Sequence, residues 1–188
     1  MATTRTVTPG YAVVFPNREK AASKAMKAVV ALILLISVGL LLIVTIGGWS
    51  QLEGMRLLNF FWCLAYLIIA FYIFARWSRG MLPIAAGLAI LLLMVALVAG
   101  LGLSGTSWFD RSHAGFAQAQ SLFGGNGLSA KTLGTVTLLI VPVQLLLIIF
   151  ALRAFAQGWN VEQEVPIDEA RSRGYNPPDP RTGTPATA

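Results

Sequence analysis

The sequence predicts an all-α integral membrane protein: a four-transmembrane-helix bundle, with both termini cytoplasmic (N-in/C-in) and an amphipathic helix in its outer loop. Three observations predict it. Of 188 residues, 56% are apolar and 12% charged, and the mean hydropathy is +0.70, whereas a soluble domain carries about 25% charged residues because its whole surface meets water. The apolar residues fall into four blocks, at about 28–48, 57–77, 81–103 and 133–156. Finally, the basic residues sit overwhelmingly on one side of those blocks.

Each block can cross a hydrocarbon core of about 30 Å at about 1.5 Å per residue. No Asp, Glu or Lys lies deeper than the first turn of any block. The apolarity is continuous rather than alternating, which favours helices over barrel strands. The first block is longer than the apolar core of a signal peptide, and Thr45-Ile46-Gly47-Gly48-Trp49 offers no small-residue cleavage pattern, so it is read as a retained anchor.

Arg5, Arg18, Lys20, Lys24 and Lys27 precede the first block; Arg76 and Arg79 lie in the second connection; Arg153, Arg171, Arg173 and Arg181 follow the fourth block. Only Arg56, Arg111 and Lys131 fall on the other side. The positive-inside rule then puts both termini in the cytoplasm, and the pI near 10.0 reads as a topology signal rather than a nucleic-acid footprint. Trp49 and Trp108 mark outer helix ends and Trp77 and Trp159 inner ends, while Trp62 falls about one turn deeper.

Residues 1–27 form the N-terminal segment. In it Asn17 is placed to cap a helix, and Lys20, Lys24 and Lys27 follow at helical spacing as a basic collar in contact with anionic headgroups. Upstream, Tyr11 to Phe15 form a short apolar stretch that lies on the membrane or pairs with a partner. The transmembrane domain spans 28–157. Only Ser78, Arg79 and Gly80 separate its second and third helices, which predicts antiparallel neighbours. The outer loop, 104–132, leaves the place of the fourth helix open. Within it Phe109, Phe116 and Phe123 recur every seven residues, predicting an amphipathic helix over about 112–123 that lies in the interface as a spacer, a lid or a docking surface. Ser129 is placed to cap the fourth helix. The tail, 158–188, is polar and proline-rich and predicts disorder, with a short helix at about 167–173 as its one structured option.

Polar residues inside the spans are few and neutral. Ser37, Tyr66 and Gln144 fall near the midpoints of three helices, at one depth. A lipid-facing amide would cost several kcal/mol, so Gln144 is expected to face inward as an interhelical clasp with Ser37 and Tyr66. Pro142 removes the donor to the Leu138 carbonyl and predicts a kink. In the third helix Ala85, Ala89, Ala96, Gly100 and Ser104 form a stripe of small residues that lets another helix, of this chain or another, approach closely.

No catalytic constellation is visible. His113 is the single histidine, with Asp110 nearby, and Cys63 the single cysteine, so neither a metal site nor a cofactor is expected. No embedded carboxylate serves an ion or proton path. The expectation is a non-enzymatic protein of the bacterial plasma (inner) membrane. It would be an accessory or scaffolding subunit that associates with other membrane proteins or with itself. The alternative is a small transporter or channel for a neutral or apolar solute, with the Gln144 and Pro142 region as its site.

Overall fold

A computed structural model describes residues 8–52, 54–101, 108–109 and 119–175. The chain runs β1 (Tyr11–Val14), α1 (Pro16–Glu19), α2 (Ala21–Gly47), α3 (Trp49–Leu52), α4 (Met55–Arg76), α5 (Met81–Leu101), α6 (Ala130–Ala156), β2 (Gln163–Pro166) and α7 (Ile167–Ser172). The four long helices, α2, α4, α5 and α6, are each long and apolar enough to cross a membrane.

Their inward stripes follow the helical period. In α2 the buried positions Val30, Leu34, Ser37, Leu41 and Thr45 advance by three or four residues, and Leu32, Leu35, Ile36 and Ile43 between them face outward. In α5 Pro83 sits in the first turn, where its missing N–H removes no helical bond. The Ser129 side chain accepts the Thr132 N–H at 3.2 Å and caps α6.

Connection length alone does not set the order of the bundle. α6 packs against both α5 and α2, and α2 also carries α4, while α4 and α5 touch only lightly despite their short link. The fourth span is thus inserted between the first and the third. α4 turns Leu57, Phe61, Leu64, Phe71 and Phe74 outward, whereas α5 buries its small residues, so shape complementarity favours α6 over α4 as the partner of α5.

The terminal segments depart from the sequence expectation. Tyr11 to Val14 pair antiparallel with Gln163 to Pro166, with Ala12 opposite Val165. Ala12, Val14, Val165 and Ala170 form a small core covered by Ile167 and Tyr175. Residues 158–175, assigned above to a disordered tail, are therefore folded through Tyr175, with a helix at Ile167–Ser172. The apolar residues among the charges are too sparse to make a core alone, but suffice when β1 covers them. The partner of the N-terminal apolar stretch is the chain's own tail, so both ends lie at the same end of the bundle.

Trp159 is also reassigned. It is 0% exposed and meets Trp77 edge-to-face at 5.4 Å, so it is a core residue seating the terminal cap rather than a member of an interfacial belt. Trp77 ends α4 with a left-handed backbone (φ 52°). A bulky residue adopts this conformation only when its surroundings over-determine it. Here Trp159 holds one side of the ring and the Lys27 ammonium lies 4.0 Å from its centroid. Asn17 does not cap α2: it lies inside α1 and donates to the Gly158 carbonyl at 3.1 Å, while Lys20 occupies the N-cap without a side-chain bond. Arg18 donates to the carbonyl of Trp159 at 3.1 Å. Burial lowers its pKa, the Glu162 charge works the other way, and the guanidinium stays charged.

At the opposite end, the outer-loop residues 108–109 and 119–129 are not helical. Residues 119–128 form a bridge between Gln120 and Asn126 and a turn docked on the end of α2. The Leu122 and Leu128 N–H groups donate to the carbonyls of Ile46 and Gly47, at 3.1 and 2.9 Å, satisfying acceptors a helix end leaves open. This contact requires Gly127, since a Cβ there would lie 2.3 Å from the Gly47 carbonyl oxygen.

Candidate functional site

Three places in the bundle carry polar or shape features that bear on function: a hydrogen-bonded chain at mid-depth, the α5–α6 contact, and a cavity in the half of the bundle away from the terminal cap.

The mid-depth chain joins three helices. Tyr66 on α4 donates its hydroxyl to Gln144 Oε1 at 2.8 Å. Gln144 Nε2 on α6 donates to Ser37 Oγ on α2 at 2.9 Å. Ser37 donates in turn to the carbonyl of Ile33, one turn back, at 2.9 Å. All three side chains are 0% exposed. Interhelical bonds of this kind contribute about 0.6–2 kcal/mol each to a membrane bundle. The arrangement fixes the rotation of α6 relative to α2 and α4. Pro142, two residues from Gln144, lies inside α6, which stays a single helix from Ala130 to Ala156.

Ala85, Ala89, Ala96 and Gly100 of the small-residue stripe are all buried, and α6 is the main partner of their helix. The close approach is tightest at Gly100, where a Cβ would stand 2.6 Å from Leu138 Cγ and Cδ2. The helix that the stripe admits is thus one of the same chain. Ser104 lies outside the described residues.

The cavity has a volume of about 400 Å³, within the usual ligand-pocket range of roughly 300–1,000 Å³. Leu41 and Val44 of α2, Met55 and Asn59 of α4, Leu92, Met94, Val95 and Val98 of α5 and Thr137 and Ile140 of α6 contribute to its wall, with Trp108 and Phe109. Two polar side chains break the apolar lining. Asn59 Nδ2 donates to Thr45 Oγ1 at 3.0 Å, tying α4 to α2. Thr137 is only 5% exposed, and its hydroxyl has no hydrogen-bond partner among the described residues. A buried group left unsatisfied costs about 1–3 kcal/mol.

The sequence reading missed Thr45, Asn59 and Thr137. The first two had a usable signal, because Asn59 sits one turn inside its span and Thr45 one turn inside the adjoining end of the preceding one. Depth matching of the kind that aligned Ser37, Tyr66 and Gln144 would have found that pair. Thr137 had none, since a threonine in a span ordinarily satisfies itself on the carbonyl four residues back.

Of the loop phenylalanines, Phe109 is 2% exposed and packs with Val44, Leu52 and Leu133, whereas Phe123 is 84% exposed in a turn. Phe116, Asp110 and His113 lie outside the described residues, as does most of the amphipathic helix. The basic collar is split. Lys20 and Lys24 are exposed, but Lys27 folds onto the rings of Phe74 and Trp77, where a cation gains from the ring quadrupole. Among the described residues no group of three or more His, Cys, Asp or Glu could hold a metal ion. No family model, curated protein or solved structure matches the chain.

Proposed function

We propose that the protein is a non-catalytic accessory or scaffolding subunit of the bacterial plasma membrane, with both termini cytoplasmic, that works by associating with other membrane proteins or with itself. The observation carrying this reading is the outer face of α4. That helix is held to the bundle mainly through α2, and it presents Leu57, Phe61, Leu64, Phe71 and Phe74 away from the protein. Van der Waals packing is one source of helix association inside a bilayer, and these bulky side chains can supply it to a neighbouring helix without the close backbone approach that a small-residue stripe allows. The α5 stripe, engaged by α6, does not serve this purpose.

The transporter alternative draws no support from the polar mid-depth residues, because both ends of the Gln144 amide are engaged and the side chain is fully buried. Exposed Lys20 and Lys24 at the cap end agree with a cytoplasmic, anionic surface on that side.

Site-specific photocrosslinking in native membranes tests the proposal, with the reactive group at Leu64 or Phe71 and, as a control, at Leu152 on α6. The expected result is one discrete crosslinked protein, or a crosslinked dimer, from the α4 positions only. Equal, diffuse products from all three positions would overturn it. So would a solitary chain that carries a neutral solute across liposomes.

A further inference from the structure

We propose that the cavity beside α4 and α5 receives one acyl chain of a bilayer phospholipid, entering sideways from the leaflet farther from the terminal cap. The depth fits. At about 1.5 Å per residue, Thr137 and Ile140 lie roughly 10 and 15 Å from the start of α6, so the space extends through about one leaflet of a core of about 30 Å.

The route fits as well. Met55 of α4 and Met94 and Val98 of α5 both line the cavity and face the outside of the bundle, between the two neighbouring helices that touch least. A hydrocarbon chain can pass between them from lipid without crossing water. Met94 and Val98 at this mouth lie on the lipid-facing surface of the bundle, the side from which a bilayer lipid approaches.

The chemistry of the wall selects the same occupant. Leu41, Leu92, Val95 and Ile140 supply apolar contact, flexible methionines at the mouth adapt to an irregular chain, and a charged or strongly hydrated ligand would lose its water without recompense. Arg56, next to Met55, is held at the same end by its bond to the Trp49 carbonyl at 2.7 Å and adds a cation at headgroup level.

The full chain in phospholipid nanodiscs doped with a phosphatidylcholine bearing a diazirine midway along one acyl chain provides the test. After irradiation, adducts are mapped by mass spectrometry. The expected result is an excess on Leu92, Val95 and Ile140, on the order of tenfold over the outward residues Leu64 and Leu152, as for a site occupied rather than merely brushed. V95F, which fills the mouth at a partly exposed position, should abolish the excess and leave the Leu64 adducts unchanged. V98F serves the same purpose should V95F fail to fold. Uniform labelling of all outward surfaces would overturn the proposal. So would cavity labelling obtained only with a photoreactive free fatty acid, which would make the occupant a free amphiphile rather than a bilayer lipid.

Discussion

The two ends of the bundle are built from the same amino acids and packed differently. Near the terminal cap, Ile73, Leu82, Leu147, Ala151, Ala154 and Trp159 are all sealed from solvent and belong to one core. At the other end a second, smaller cluster forms under the outer loop, and beside it the helices part around a cavity of about 400 Å³ with an unpartnered hydroxyl in its wall. Hydropathy does not distinguish these ends. The difference lies in what is packed on each one: a folded cap anchored by a tryptophan at the first, and at the second the turn of residues 119–128 docked on α2, with Met55, Met94 and Val98 exposed beside the cavity.

The largest test of this contrast is at the cap. Trp159→Ala removes a fully buried ring and its edge-to-face contact with Trp77. It should cost about 3–5 kcal/mol, read as a lower Tm in mild detergent, together with loss of protection of the β1 amides in hydrogen exchange. An unchanged Tm would mean that the cap is not part of the cooperative unit.

Next is Gln144→Leu, at the level where the sealed and open halves meet. It leaves the Tyr66 hydroxyl without its acceptor and should cost about 1–3 kcal/mol. No loss of thermal stability would count against the clasp. Val165→Ala, in the small core of the cap, should cost about 1.5 kcal/mol, the burial of two methyl groups. That cost should appear as faster exchange of β1 and β2 with little change in the transmembrane helices.

The smallest effect is expected at the open end, and with the opposite sign. Thr137→Val replaces an unpartnered hydroxyl by a methyl group of similar size and should raise stability by under about 1 kcal/mol. A fall in Tm would show that the hydroxyl is bonded in the folded protein and would narrow the contrast between the two ends.

Particular elements show how far the sequence could be read. The four long apolar helices and the Ser129 cap were legible, because continuous apolarity and capping are local, although α2 begins at Ala21, ahead of its apolar block. The convergence of Ser37, Tyr66 and Gln144 follows from counting residues, because a helix of fixed rise converts position into depth. The fold of the tail was not legible: Val165 and Ala170 look too sparse to order a chain until β1, about 150 residues earlier, is laid against them. Nor was the last part of the loop, where the expected helix over about 112–123 included residues 119–123; these and the residues to 128 instead dock on α2 through backbone bonds, while 112–118 lie outside the described residues.

The sequence by itself determined that the chain carries four helices long and apolar enough to cross a membrane, which ends of them are the basic ones, and which polar residues share a depth. These properties depend on hydropathy, charge and the rise of a helix, all of which act within one segment. Only the tertiary structure decided that α6 sits between α2 and α5, that the two ends of the chain pair, and that a cavity opens beside α4 and α5. Those outcomes depend on how side-chain shapes from distant segments fit, as Gly100 fits Leu138 and Gly127 fits the end of α2. Close packing at such points is settled by short-range contact, which no pattern along a single segment encodes.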